Sequence, residues 1–426
     1  MFLKIIVSFF SLGLTRKYKF FLNSKSFLLF LLITSSSNTA LGFDGTQPIG
    51  IGPINKGNGG AGVASPKDSS WVLINPATIV DLESRVDLSV DAIFRKNTLT
   101  PQGPGFAPLG GTPLANNAAG EMKDDKPFFN PTAGFITPLK RGVMGMAISG
   151  SGLVNRFPNS RTTIASSTGE NFDRRVEYKA TKVAMSYAFK FFDGWSIGAA
   201  INGGFATLRA DSLTNKLQRT KSNYLYDSAF GVGFEFGVYK AFQNLRLGIG
   251  YNSRQYFEEF DRYNDLITGS LDIPQTLQAG IAYFIFPYLE LVADYKFIHW
   301  SDVPQYGNAP ETGGVEWQDQ HILKLGMNFN YMDALTFRVG GSFGNSPVTE
   351  NRVFVNGLFS ALSEDHLTLG FSFDLTSHYI FHFAYERAFK NSLKENGEGG
   401  SFSEAGLGTI TSIEANSFNV GISYNF

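Results

Sequence analysis

The chain has 426 residues, with 36 Lys plus Arg against 37 Asp plus Glu and a net charge of -1, so there is no basic field and no nucleic-acid partner is expected. Charged residues are 17 % and aromatics 15 %, with 41 Phe, a charge deficit and an aromatic surplus for a soluble domain, while 43 % hydrophobic content excludes disorder. The absence of Cys removes disulfides, cysteine nucleophiles and thiolate metal sites, and a mean hydropathy of -0.06 with one short apolar run excludes a bundle of membrane helices.

At the N-terminus, Arg16, Lys17, Lys19 and Lys25 precede the apolar run Phe27 to Ile33, and small residues lead to Ala40-Leu41-Gly42. This predicts a secretory signal peptide over residues 1–42, cleaved after Ala40 or Gly42, because the run is far short of the ~20 residues of a spanning helix. Residues 43–84 do not alternate and are rich in Gly. Gly57, Gly59 and Gly62 satisfy G-x-G-x-x-G, but no strand-turn-helix unit surrounds them, so a dinucleotide site is not expected. These glycines, with Asn75-Pro76-Ala77 after them, predict a compact segment packed closely against an inner wall, a hatch or plug.

From Arg85 onward the chain keeps returning to period-2 alternation, apolar on one side and polar or small on the other. Phe230, Val232, Phe234 and Phe236 against Gly231, Gly233, Glu235 and Gly237 is the strongest example. Strands are predicted over 85–94, 129–137, 143–153, 176–189, 195–209, 224–238, 245–254, 274–285, 289–299, 320–331, 335–343, 366–375, 378–388 and 417–426, joined alternately by long and short connections. The fold class is all-β, a transmembrane antiparallel barrel of about 14 strands over 85–426, with the hatch in its lumen. In the third strand, Gly145, Gly150 and Gly152 allow a kink. Glu235, Arg246, Lys296, Lys324 and Arg338 face inward as a lumen network holding the hatch. The chain has 5 His; His382 points inward beside Glu386 as a polar pair. No catalytic residues, metal ligands or cofactor are expected. The last strand alternates to the terminal Phe426, which resembles the signal read by outer-membrane assembly machinery.

The stretch GNGGAGVASPKDSSWVLINPA from Gly57 to Ala77, followed in order by Leu271-Asp272-Ile273-Pro274-Gln275, Asp294-Tyr295, His299-Trp300-Ser301, Trp317-Gln318-Asp319, Leu335 to Gly340 and Asn345-Ser346-Pro347-Val348, resembles the FadL/TodX family of outer-membrane transporters. The resemblance spans essentially the whole mature chain. It implies a monomeric 14-stranded barrel with an N-terminal hatch, surrounded by outer-membrane lipid and lipopolysaccharide. It further implies passive, non-enzymatic uptake of a hydrophobic compound, a lumen pocket beside the hatch terminus, and lateral release at the kinked third strand. Its ligand contacts map onto Phe43, Arg209 and Trp300. Long-chain fatty acid is the leading substrate class. The segment Trp300 to Gly307 offers no second cation for a carboxylate, so aromatic or aliphatic hydrocarbon is the alternative. A porin or an outer-membrane hydrolase is the remaining rival.

Overall fold

The computed structural model describes residues 44–102, 121–160, 172–214, 220–222, 225–264, 267, 269–332, 334–359 and 361–426. The signal-peptide segment and Phe43 lie outside them. Fourteen long strands form the wall: β1 (Arg85–Thr100), β2 (Phe128–Leu139), β3 (Gly142–Ser160), β4 (Phe172–Phe192), β5 (Trp195–Thr214), β6 (Asp227–Ala241), β7 (Leu245–Asn252), β8 (Thr276–Phe286), β9 (Leu289–Ile298), β10 (Gln320–Met332), β11 (Leu335–Gly344), β12 (Asp365–Asp374), β13 (Tyr379–Lys394) and β14 (Ile410–Asn425). Each pairs antiparallel with its neighbours in the chain, and β1 pairs with β14 from Arg85 opposite Asn425 to Thr100 opposite Ile410. The sheet therefore closes, which is what a strand-built membrane span requires, since an open edge would leave backbone groups unpaired in hydrocarbon.

The alternation fixes which face meets lipid. On β6, Val232 is 68 % exposed and Glu235 only 1 %, and a one-residue slip would exchange them. Aromatic side chains collect at the short-turn rim, where Phe286 stacks on Tyr288 at 5.3 Å and Tyr288 meets Phe329 edge-on at 6.1 Å, as interfacial girdles do. All fourteen predicted strands are present, but β1, β3, β13 and β14 run about six residues further than predicted on the long-loop side. Above the lipid band neither face must be apolar, so the ladder continues where the alternation has stopped.

Residues 44–84 fill the lumen. Pro53 starts a short helix α1 (Gly52–Gly57), and two 3-10 turns follow, Ser69–Leu73 and Pro76–Asp81. Asp68 and Asn75 cap these turns by accepting from the amides of Ser70 and Ala77. Ile54, Val63, Trp71, Val72 and Ile79 pack on a wall of small inward residues, Ala147, Ala184, Ala188 and Ala200. Elsewhere backbone meets backbone. Gly59 adopts φ +68° and lies so close to Gly341 that a Cβ would fall 2.5 Å from its amide nitrogen, and a Cβ on Gly340 would overlap the Asn58 carbonyl carbon. Gly340→Val should therefore unseat the segment, with no flexible side chain to yield, and lower the thermal unfolding temperature; a variant melting like wild type would refute this contact.

Candidate functional site

Buried charges of the wall point at the lumen segment. Lys56 Nζ lies 2.5 Å from Asp91 and 2.6 Å from Glu386, and donates to Ser417 at 2.9 Å. Burial alone would lower the Lys56 pKa, but the two carboxylates outweigh it and hold the pKa above that of an ordinary lysine. Asp44 receives Lys296 at 3.0 Å and Lys324 at 2.9 Å. Asp294 accepts from the amides of Gly62 and Val63 at 2.7 and 2.8 Å, and Glu290 takes Lys67 at 2.7 Å and the Ser65 hydroxyl at 2.6 Å. These buried charges thus find their partners across the boundary between segment and wall.

The wall is interrupted beside the start of this segment. β2 and β3 pair from Leu139 opposite Gly142 only as far as Ala133 opposite Ile148. Beyond that point β2 stays with β1 and β3 stays with β4, from Ser149 opposite Lys182 to Ser160. The missing ladder bonds are partly replaced. The Asn130 side chain accepts from the Gly150 amide at 3.2 Å and donates to its carbonyl at 3.4 Å, and the Gly152 amide donates to the Thr46 carbonyl of the lumen segment at 3.0 Å. Gly152 has φ +146°, and a Cβ there would collide with the Tyr178 carbonyl, so the bend needs glycine. Gly150 admits the Asn130 amide. Gly145 lies below the break, in the paired part of the ladder, and makes room for Val72.

A cavity of about 110 Å³ opens between this break and the lumen segment. Ile49, Ile51, Leu73 and Ile74 give it an apolar side, while Lys182, Gln255 and Lys296 bring polar atoms. Lys182 is held by Glu235 at 2.6 Å and Asn252 at 3.0 Å. The Gln255 side chain is 2 % exposed, and neither amide atom has a hydrogen-bond partner among the described residues. A buried amide left in that state costs roughly 1–3 kcal/mol. On the long-loop side an apolar cluster closes over the lumen. Trp300, Tyr306 and Trp317 lie within 4.8 to 5.1 Å of one another, and Trp300 donates to Gln320 at 2.8 Å.

The predicted residues separate accordingly. Trp300 packs on Gly45, where a Cβ would strike its indole ring, and Phe43, which precedes that contact, lies outside the described residues. Arg209 is not brought to the cavity. Gly204 opposes the cavity-lining Lys182, and Arg209, five residues on, has the opposite parity and faces outward. Lys296 and Lys324 hold Asp44 as a lumen network would, and Arg338 lays its stem on Gly57 and donates to Ser372 at 2.6 Å. Glu235 instead holds another wall residue, Lys182, and Arg246 sits over the Phe284 ring at 4.8 Å. Gly57, Gly59 and Gly62 bring the segment against wall backbone or bond it to Asp294, and Asn75, Pro76 and Ala77 dock on Gly198 and Gly237. His382 bonds Ser372 and Ser423, and the imidazole beside Glu386 belongs to His366, at 3.0 Å. Residues four apart on one strand are about 13 Å apart and cannot touch. Lys56, Asp91 and Lys182 are site residues that the sequence analysis does not single out, although the alternation of β1 turns Asp91 inward.

A family model described as outer membrane protein transport protein (OMPP1/FadL/TodX) matches residues 54–426. Among solved structures, the P. putida toluene transporter TodX is 15 % identical with a TM-score of 0.67, covering 89 % of this chain and 99 % of its own. A Pseudomonas aeruginosa FadL homologue is 16 % identical with a TM-score of 0.65 over 89 % of this chain and 99 % of its own. The Ralstonia pickettii toluene transporter TbuX is 17 % identical with a TM-score of 0.62 over 89 % and 99 %. These likenesses show a shared fold. No curated protein matches the chain.

Proposed function

Because this chain belongs to the outer membrane protein transport family (OMPP1/FadL/TodX) and is a multi-strand barrel of the bacterial outer membrane, we propose that it takes up hydrophobic compounds passively, through the cavity beside its lumen segment. The segment acts as a hatch that closes the lumen to water. The ligand enters from outside past the Trp300 cluster, rests between the hatch terminus and Lys182, and leaves sideways where β2 and β3 part. A lateral exit suits a solute that partitions into lipid, because an aqueous channel would offer it no stabilisation.

The observation that carries the substrate reading is the pairing of an apolar cavity side with the unpartnered amide of Gln255 and the ammonium of Lys182. A long-chain fatty acid supplies both halves, a chain for the aliphatic side and a carboxylate for a charge-assisted bond in low dielectric. Aromatic hydrocarbon is the second reading. It is supported by the cavity's size, close to the roughly 150 Å³ in which benzene lodges, and by the toluene transporters among the similar folds.

Equilibrium binding of palmitate, methyl palmitate and toluene to purified protein separates the two. For the fatty-acid reading, palmitate binds at least about tenfold more tightly than its ester, and Lys182→Met removes that preference. Tighter binding of toluene, unaffected by Lys182→Met, would support the hydrocarbon reading, and binding of none of the three would overturn uptake at this cavity.

A further inference from the structure

We propose that the outward face of β3 to β6, above the lipid band, docks the phosphorylated headgroup of an outer-leaflet lipid. The parity that turns Lys182 into the lumen turns Glu177, Lys179 and Arg209 the other way, and Val154 opposite Glu177 and Glu177 opposite Arg209 set one row across three strands. Glu177, 1 % exposed, gathers Arg156 at 2.6 Å, Arg175 at 3.3 Å and Lys179 at 3.5 Å. The Tyr226 hydroxyl also donates to it, at 2.8 Å. Arg209 and Lys179 lie over the Tyr226 ring at 5.4 and 5.7 Å. Three cations therefore hold one buried carboxylate, and a fourth, Arg209, stands opposite it in the register and over the ring of Tyr226, so among the described residues of this row the cations are in the majority.

Its height in the wall identifies the occupant. Four residues below Arg209, Phe205 packs against Phe230 with ring centroids 5.3 Å apart, and both are among the exposed apolar residues of the lipid face. The cluster stands about 13 Å further along the strand, where hydrocarbon gives way to headgroups. Guanidinium forks match phosphate oxygens in pairs, and Glu177 with Tyr226 pre-positions them, which reduces the ordering cost on binding. A lipid satisfies both levels at once, acyl chains on the Phe205 and Phe230 band and phosphate on the row above. Free phosphate satisfies only one.

The test uses the full barrel in detergent, titrated with bisphosphorylated lipid A, with dephosphorylated lipid A and with inorganic phosphate, and read by native mass spectrometry. Bisphosphorylated lipid A should bind at least tenfold more tightly than the dephosphorylated form. Arg156→Gln with Arg209→Gln should weaken it roughly thirtyfold, about fivefold for each basic residue near the membrane surface. Glu177→Gln keeps every cation and an amide oxygen that can still accept from Arg156, so the positioning remains while the competing charge is gone, and its binding should equal or exceed wild type even if the double variant folds poorly. Equal binding of the two lipids, preference for inorganic phosphate over lipid, or loss of binding in Glu177→Gln would each overturn the proposal.

Discussion

Lys56→Met should loosen the hatch more than any other single change in the lumen. The substitution keeps the length of the side chain and removes its charge, leaving Asp91 and Glu386, both nearly fully buried, without their counter-ion. Glu386 would retain His366 at 3.0 Å and Asp91 would retain Ser417 at 2.6 Å, and a hydrogen bond does not neutralise a carboxylate. Breaking a buried pair from one side costs about 3–5 kcal/mol, and here two carboxylates lose one lysine. The expected result is a lowered unfolding temperature and, in planar bilayers, stepwise ion conductance above that of wild type. Lys56→Arg should restore the charge with a poorer fit and fall between the two. Wild-type conductance in Lys56→Met would mean that the hatch is held without this contact.

The second large effect tests the exit. The chain contains no Cys, so an engineered pair is the only thiol chemistry present. A Cβ on Gly150 would lie 3.5 Å from Asn130 Cγ, within reach of a disulfide. In the Asn130→Cys, Gly150→Cys double variant, oxidation should tie β2 to β3 across the break and reduce uptake of labelled ligand more than about tenfold. A reductant should return it, and each single variant should transport in both redox states. Uptake that survives oxidation would place the exit elsewhere on the wall.

The sequence made the wall legible for a simple reason. Lipid on one side and a lumen on the other impose a two-residue period that no loop shares, so Val86 to Phe94 and Phe418 to Phe426 announced themselves, and a slip would have put Asp87 or Asp91 into hydrocarbon. The same logic stopped short above the membrane, where β1 continues to Thr100 and β14 begins at Ile410 with no alternation to mark them. Parity also decides Arg209. Counted from the inward Lys182 and its partner Gly204 it points outward, whereas its position after the fifth strand, taken from the family resemblance, placed it in the pocket. The glycines of the third strand were legible as a weakness in the ladder. The partners that cover the weakness, Asn130 and Thr46, are ordinary polar positions in sequence and become visible only when the strands are laid side by side.

Lys56 also bears on how the cylinder is completed. It reaches at once to Asp91 on the first strand and Ser417 on the last, the two strands furthest apart in the chain and the only ones joined by nothing but their own pairing. A segment whose backbone meets the wall's glycines at van der Waals distance cannot be threaded into a finished tube. The tube has to be wrapped around it, and the seam drawn shut last. A β14 that arrived one residue out of step would turn Ser417 toward the lipid and leave the lysine short of a partner. The stopper thus doubles as a gauge for the closing stitch, inspecting from inside a joint that the membrane sees only from without.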